Sequence, residues 1–424
     1  MLTFRQFIQE QEDKPMPAKK NLHLEHIEDE IFNFGAYGAR ESITFLQSLR
    51  DMLSGSSPNK KVEVTTKFDG APAIFVGIDP YDGQFFVGTK GVFNVNAKLV
   101  KSIGDISKHG YKGALANKLQ VSFEELQKLG IKNVIQGDLL YTVDDLKPEV
   151  VDGVRYTTFQ PNTIVYAIEE GSKLDKQIKN SKLGIVFHTT YSGKTLPEMS
   201  ASFGADVSGL KETPSVWFSD VDYKDYSGAV SMTAKETEKI TKLLSETGKT
   251  FRKIKTKALD EFLELQKQLP SSAVGASIKT YNNSKIRKGQ KVTNPVQHAK
   301  DYVKYFMEYY DTKIIAKVKQ EKTKRAKESE KSAFVNSFRR HMPMLMEVMK
   351  MYNMFVDAKQ IIIDKLDKGA RKFSKTFVRT ETGFKIVNEE GYVAIDQMKG
   401  NAVKLVDRLE FSYNNFNGIK SWDK

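Results

Sequence analysis

The chain has 424 residues, of which 40% are hydrophobic, and carries a formal net charge of +13 with a pI of about 9.3. This length allows two or three domains with real cores, and the charge suits a polyanionic partner such as nucleic acid. The sequence contains no cysteine, which excludes disulfides, thiolate chemistry and cysteine-based zinc sites. It shows neither an apolar run of membrane-spanning length nor a signal-peptide pattern, so we expect no membrane partner and no signal-dependent secretion.

Residues 1–20 divide into a short amphipathic segment, MLTFRQFIQE, and a polar linker that holds two prolines. The segment resembles the capsid-targeting peptides of T4-like phages, which a prohead protease removes after a glutamate that has Ile or Leu two residues earlier. Ile8 and Glu10 fit that pattern. The resemblance implies contact with phage capsid or prohead components and a location in the virion interior or the host cytoplasm. The alternative is an ordinary helix that packs on the first domain.

The next segment contains two helix patterns within 23–53, and apolar runs that favour strands follow it. The runs Val62–Thr66 and Ile74–Val76 enclose the tight sequence KFDG, and the glycine and proline there predict a turn. This pattern places Lys67 at the end of a strand. A lysine that is partly desolvated or close to other cations has a lowered pKa, and its amine becomes a nucleophile.

Helix and strand patterns then alternate until about residue 219, where the chain becomes helical and basic; strands return near residue 375. The predicted elements are a strand at 84–88, a helix at 97–129, strands at 133–141, 163–168 and 184–190, helices at 233–269, 299–318, 333–351 and 356–373, and strands at 376–379, 384–387 and 388–395.

The sequence KFDG resembles motif I, K-x-D-G, of the covalent nucleotidyltransferases, which include DNA ligases, RNA ligases and mRNA capping enzymes. Other segments resemble further motifs of this family in the family's order. The matching residues are Lys90 for motif Ia, Asp138 for motif III, Phe187 for motif IIIa, Glu390 for motif IV and Lys404 for motif V.

This resemblance implies a role for each matched residue. Lys67 attacks the α-phosphate of ATP, and Asp69 orients the ribose or a terminal hydroxyl. The remaining roles are phosphate neutralisation by Lys90 and Lys404, base stacking by Phe187, and binding of Mg²⁺ by Glu390 and Asp138. Lys404 is also expected to depress the pKa of Lys67.

The sequence departs from the family pattern at several positions. Pro72 stands where ligases usually have arginine, Asp138 stands where glutamate is usual, and Val406 replaces a second lysine of motif V. A long helical segment separates Phe187 from Glu390, and the sequence after Lys404 is too short for an OB-fold. The lack of room for an OB-fold favours an RNA-ligase-like arrangement over a DNA ligase, whereas Asp138 and the missing second lysine of motif V favour a catalytically decayed protein.

The fold class predicted from these patterns is α+β, with a ligase-type nucleotidyltransferase domain of two mainly antiparallel sheets around a cleft. A large basic helical domain interrupts it, and no C-terminal OB-fold is expected. The predicted boundaries are 1–20 for the targeting-like peptide and linker, 21–218 and 375–424 for the nucleotidyltransferase domain, and 219–374 for the helical insert.

The predicted function is that of an ATP-dependent polynucleotide ligase with a lysyl-AMP intermediate, with ATP and Mg²⁺ as cofactors and nucleic acid with 5′-phosphate ends as partner. Within the insert, Lys253, Lys255, Arg287 and Lys288 are the candidate contacts to the phosphodiester backbone. Two alternatives remain open. One is a catalytically decayed, capsid-packaged nucleic-acid-binding protein, and the other is an enzyme that transfers AMP to another protein.

Overall fold

The computed structural model describes residues 24–56, 62–222, 230–369, 374–381, 383–388, 390–396 and 401–418. The predicted targeting peptide and linker lie outside these residues. The α+β class expected from the sequence is confirmed.

The described strands pair into separate sheets. In chain order they are β1 (Glu25–His26), β2 (Val62–Lys67), β3 (Ala73–Ile78), β4 (Phe85–Gly88), β5 (Val134–Thr142), β6 (Lys147–Val151), β7 (Val154–Phe159), β8 (Ile164–Glu169), β9 (Leu183–Ser192), β10 (Ser200–Phe203), β11 (Val216–Asp220), β12 (Lys375–Thr380), β13 (Gly383–Ile386), β14 (Gly391–Asp396) and β15 (Asn401–Leu405).

The described α-helices surround these sheets. They are α1 (Glu30–Leu53), α2 (Ile103–Lys108), α3 (Gly113–Leu126), α4 (Lys173–Asn180), α5 (Ala234–Phe251), α6 (Thr256–Lys267), α7 (Ile278–Arg287), α8 (Pro295–Tyr309), α9 (Glu321–Arg340), α10 (Met342–Gly369) and α11 (Tyr413–Asn417).

Three sheets form from these strands. Sheet A has the order β1-β15-β14-β2, sheet B has the order β10-β9-β5-β3-β4 with β11 beside β9, and sheet C has the order β13-β12-β8-β7-β6. Most neighbours are antiparallel, but β1 runs parallel to β15 and β11 runs parallel to β9. The late strands β12 to β15 complete sheets A and C, so the last part of the described chain pairs with strands from its first part in both sheets.

Two of the helices predicted from the sequence are divided in the structure. The predicted helix at 97–129 is two helices, α2 and α3, because Gly110 adopts a left-handed φ of 79° between them. The predicted helix at 233–269 also divides, into α5 and α6. Conversely, the two helix patterns within 23–53 join as α1 across a kink at Gly35, whose φ is 59° and ψ is −134°.

The largest hydrophobic core is continuous from α1 through α5–α10 to one face of sheet A. Leu46 of α1, Ile240 of α5 and Phe355 of α10 belong to it, as do Ala394 and Leu405 of the sheet. The helical region marked at 219–374 therefore packs on sheet A through a shared core instead of enclosing a core of its own. Burial of this apolar surface fixes sheet A between the helices and the other strands.

Candidate functional site

Strand pairing brings Lys67 and Glu390 together although they are far apart in sequence. Lys67 is the last residue of β2, which runs antiparallel to β14 with Lys67 opposite Gly391. Glu390 directly precedes β14, and its Oε2 lies 2.5 Å from the Lys67 Nζ. The two side chains are 23% and 10% exposed, so this is a largely enclosed ion pair with some access to solvent.

Two glycines permit the close approaches that shape this site. Gly391 has a φ of 132°, and a Cβ there would lie 2.6 Å from the Leu405 carbonyl oxygen. A Cβ on Gly70, in the turn after Lys67, would lie 2.5 Å from the Asp138 Cβ. Only glycine fits such contacts without a shift of the neighbouring backbone or side chain.

Asp138 and His188 face the same pocket as Lys67. Asp138 lies on β5, opposite Ala73 of β3 and Val186 of β9. Its Oδ1 is 3.5 Å from the His188 Nε2, and both residues line the pocket beside Lys67. His188 was not predicted to be a site residue. The alternation of side chains along β9 nevertheless placed it on the opposite face of the strand from Phe187.

Lys404 completes a cluster of charges around Lys67. It lies on β15, opposite Val393 of β14 and His26 of β1. Burial lowers the pKa of Lys404, and the nearby Lys67 ammonium lowers it further. Lys404 is thus close enough to Lys67 for the two cations to interact.

The pKa of Lys67 itself is raised. Burial acts to lower this pKa, but Glu390 and then Asp138 act in the opposite direction and outweigh it. The expectation that Lys404 depresses the pKa of Lys67 is therefore wrong for this arrangement, because Lys67 and not Lys404 has the contacting carboxylate. Burial also raises the pKa of Glu390 in spite of Lys67.

Asp69 has a structural role that the sequence did not predict. Its carboxylate accepts hydrogen bonds from the Asn162 side chain at 2.7 Å and from the backbone N–H groups of Thr163 and Ile164 at 2.8 and 2.9 Å. Its own N–H donates to the Tyr166 hydroxyl at 2.7 Å. The expected contact of Asp69 with ribose or a terminal hydroxyl is not supported, since these bonds hold the turn after Lys67 on β8.

Phe187 and Lys90 are not brought to the pocket. Phe187 is fully buried on the face of sheet B that packs against Leu119 and Leu126 of α3, so the expected stacking of Phe187 on a base is wrong. Lys90 starts a short 3-10 helix after β4, and its exposed side chain does not line the pocket of Lys67.

The pocket beside Lys67 is small. Its volume is about 70 Å³, whereas ligand pockets typically measure ~300–1,000 Å³. Apolar walls from Val186, Val393 and Ile395 accompany the polar groups of Asp138 and His188. A pocket of this volume could hold a ligand the size of a nucleotide only if the surrounding sheets or loops moved apart.

The carboxylates present are compatible with a loosely held Mg²⁺. Within the described ranges, no group of three or more His, Asp or Glu side chains is arranged to bind a metal. Mg²⁺ is, however, commonly held by one or two carboxylates together with substrate phosphates and water. Glu390 and Asp138, which flank Lys67, are the candidates for such a pair.

The four candidate nucleic-acid contacts are all exposed. Lys253 and Lys255 lie in the connection between α5 and α6, and Arg287 and Lys288 lie at the end of α7. The Arg287 guanidinium stacks on the Phe416 ring at 4.4 Å, which holds it near α11.

The structure thus defines an α+β protein with an enclosed lysine–glutamate pair between its sheets. The chain belongs to a family of unknown function, DUF6267, whose family model matches residues 21–420. Comparisons with curated proteins and with solved structures gave no match. None of the described helices is both long and apolar enough to cross a bilayer.

Proposed function

We propose that this protein is an ATP-dependent nucleotidyltransferase of the polynucleotide ligase type, in which Lys67 carries AMP. The observation that supports this most strongly is the contact of Lys67 with Glu390 at 2.5 Å; Asp138 also acts electrostatically on the Lys67 amine, and Lys67 in turn lowers the pKa of Lys404. These four residues come from distant motifs of the sequence. The RNA-ligase type is favoured over the DNA-ligase type by the sequence pattern alone.

The first chemical step needs Lys67 as a neutral amine. Its ammonium must therefore leave Glu390 and lose a proton before attack. Separation of the pair removes the contact that most raises the pKa of Lys67, while burial continues to lower it. Separation of Lys67 from Glu390 is thus itself an activating event.

In the proposed reaction the Lys67 Nζ bonds to the α-phosphorus of ATP, and the bond to the pyrophosphate oxygen breaks. A nucleic acid 5′-phosphate then takes the AMP from Lys67, and a 3′-hydroxyl displaces AMP to form the phosphodiester. Lys404 stabilises negative charge on the α-phosphate throughout. Mg²⁺, held by Glu390 and Asp138, would neutralise charge on the phosphates.

Incubation with α-³²P-labelled ATP and Mg²⁺, followed by denaturing electrophoresis, tests this proposal. We expect label on the parent protein, no label on Lys67→Ala, and full label on Lys132→Ala, which removes an exposed lysine outside the pocket. A folded Lys67→Ala protein that still takes up label would overturn the mechanism.

The same gel separates the alternatives. Label on a second protein that is added or copurified would identify a protein adenylyltransferase. An unlabelled parent protein that still binds nucleic acid would favour the non-catalytic binding protein.

A further inference from the structure

A second, larger cavity lies on the helical side of the molecule. Its volume is about 770 Å³, within the range of small-molecule sites. Helices α5, α7 and α10 and the segment 407–409 form its walls, and it shares no lining residue with the pocket of Lys67. The nucleotidyltransferase proposal gives it no role.

The floor of this cavity is a buried network of charges. Lys359 donates to Glu28 at 2.6 Å, and both side chains are at most 2% exposed. Arg408 bonds to Asp29 at 3.2 Å and to the Tyr352 hydroxyl at 3.1 Å. Such a network is costly to bury unless each polar atom has a partner.

Three atoms of the floor lack a partner among the described residues. They are the Glu28 Oε2, the Asn282 Nδ2 and the Arg408 Nε. All three residues line the cavity, and each is more than nine-tenths buried. Asn282 has its amide oxygen fixed by a 2.7 Å hydrogen bond with His298, so its NH₂ group remains for a ligand. The three atoms have almost no accessible surface, so these side chains must turn toward the cavity before a ligand with one donor and two acceptors can bond to them.

Apolar side chains form the walls above this floor. Leu243, Ile286, Val292, Val356 and Leu409 contribute to them. A flat heterocycle with polar edges matches such a chamber, because its faces contact the walls while its edge bonds to the floor. Purines present both amino donors and ring-nitrogen acceptors on their edges.

Lysines and carboxylates both line this cavity; among the carboxylates, Glu246 and Asp357 are paired with Lys249 and Lys291. Lys239 and Lys242 of α5 are exposed and form no ion pair with a described residue. Lys285 of α7 lies beside them along the lining, with its ammonium 5.3 Å from the Tyr281 ring. Unpaired ammonium groups at the mouth favour a ligand whose outer end is anionic.

We propose that this cavity binds a purine nucleotide, with the base on the Glu28, Asn282 and Arg408 floor and the phosphate at Lys239 and Lys242. This site is separate from Lys67 and does not depend on covalent chemistry there. The floor also connects to the Lys67 pocket through β1, since His26 pairs with Lys404. A ligand that contacts Glu28 is therefore placed to influence the reactive site.

Equilibrium dialysis of the full chain with labelled AMP, GMP and CMP tests this proposal, since none of these ligands can adenylylate Lys67. We expect purine binding that weakens at least tenfold in Val356→Trp, which fills the cavity, and in a Lys239→Glu, Lys242→Glu double variant. A matched Lys235→Glu, Lys257→Glu variant makes the same charge change at exposed lysines outside the cavity and is expected to bind like the parent.

Each result decides the proposal. Equal binding by the parent and the folded Lys239→Glu, Lys242→Glu variant would overturn it, whether or not Val356→Trp folds. Equal affinity for CMP and AMP would reject recognition of the purine. Loss of binding in Lys67→Ala instead would assign the nucleotide to the Lys67 pocket. If the protein binds a purine nucleotide in the cavity but takes up no label from ATP at Lys67, the proposed enzymatic function is rejected and the cavity site is retained.

Discussion

At the scale of residues, the reactivity of Lys67 depends on one carboxylate. Glu390 is its 2.5 Å partner, and this opposite charge raises the pKa of Lys67. The sequence predicted that Lys67 and Glu390 meet, but it also placed Phe187 and Lys90 in this site and reversed the direction of the Lys67 pKa shift. A motif resemblance predicts which side chains share a site. The direction of the Lys67 pKa shift, however, depends on which of the two neighbouring lysines contacts the carboxylate.

We predict that Glu390→Gln makes Lys67 more reactive toward an amine-specific reagent at pH 8, by about tenfold for each unit of lowered pKa. The physical reason is that burial still lowers the pKa of Lys67 after its contacting carboxylate is removed. Mass spectrometry of the Lys67 peptide measures the rate. Glu410→Gln is the control, since Glu410 lines the small pocket next to Glu390 but does not contact Lys67. An unchanged Lys67 rate in Glu390→Gln would contradict the assigned cause.

His298 provides a pH-dependent contribution to stability. Burial lowers its pKa from 6.5 to about 4, and Lys285 adds to the effect while Asp301 opposes it. The folded pKa lies below the unfolded one, so this contribution is complete above about pH 6.5 and is lost as pH falls toward 4. The loss at pH 5 is on the order of 2 kcal/mol.

We therefore predict that the parent loses about 2 kcal/mol more unfolding free energy than His298→Gln between pH 7.5 and pH 5. Urea unfolding of both proteins at the two pH values gives this double difference, in which other titrating groups cancel. Parallel pH dependences for the two proteins would show that His298 does not titrate as a buried neutral side chain.

At the scale of elements, hydrophobic periodicity predicted the positions of helices and strands better than the breaks between them. The strands around KFDG and the strand after Glu390 occur close to the expected positions. The break at Gly110 between α2 and α3 was missed, because one left-handed glycine ends a helix without disturbing the surrounding apolar pattern. The pairing of β2 with β14 is non-local, so only the motif resemblance indicated it.

The junction before β14 yields a prediction with a built-in control. Gly391 and Gly383 have similar positive φ values, 132° and 139°, but a Cβ at Gly391 would meet the Leu405 carbonyl oxygen at 2.6 Å, whereas one at Gly383 meets nothing within 4 Å. Gly391→Ala should therefore destabilise the protein by about 1–3 kcal/mol more than Gly383→Ala. Urea unfolding measures the difference. Equal losses would show that the backbone near β15 relaxes to accept the methyl group.

At the scale of the whole molecule, the helical region and sheet A share one core. Sequence composition marked the region at 219–374 correctly as helical and basic, but composition does not reveal which apolar faces meet. α1, from the N-terminal part of the chain, lies in the same core as α5–α10. Sheet A, whose strands β2 and β14 carry Lys67 and adjoin Glu390, therefore rests directly on the helices through this core.

The N-terminal segment yields a further prediction at this scale. If residues 1–10 are a capsid-targeting peptide, the chain inside phage virions begins at Gln11, because cleavage follows Glu10. A proline-containing polar linker follows Glu10 in the sequence, and such segments are preferred sites of proteolysis. Mass spectrometry of purified virions measures the terminus. A full-length chain in virions, or none at all, would reject cleavage and packaging.

The basic charge of the chain makes a prediction about nucleic acid binding. Each phosphate that a protein cation neutralises releases counterions and steepens the dependence of affinity on salt, by about 0.7 per contact for single strands. Replacing Lys253, Lys255, Arg287 and Lys288 by glutamine should therefore weaken binding of single-stranded RNA and flatten the log–log salt slope by about 3. Fluorescence anisotropy at a series of salt concentrations gives both quantities.

The control variant replaces four exposed lysines of the sheet region by glutamine. It distinguishes the loss of local phosphate contacts from the effect of a lower net charge. Lys132, Lys173, Lys176 and Lys194 are exposed and form no ion pair with a described residue, so their replacement changes the net charge equally. Affinity should then fall only slightly, because long-range attraction is screened within ~8–10 Å at physiological salt. Self-adenylylation should persist in both variants, since it needs only ATP and the Lys67 pocket. Equal salt slopes for the two variants would show that the helical residues are ordinary surface charge, and binding would have to be sought elsewhere on the molecule.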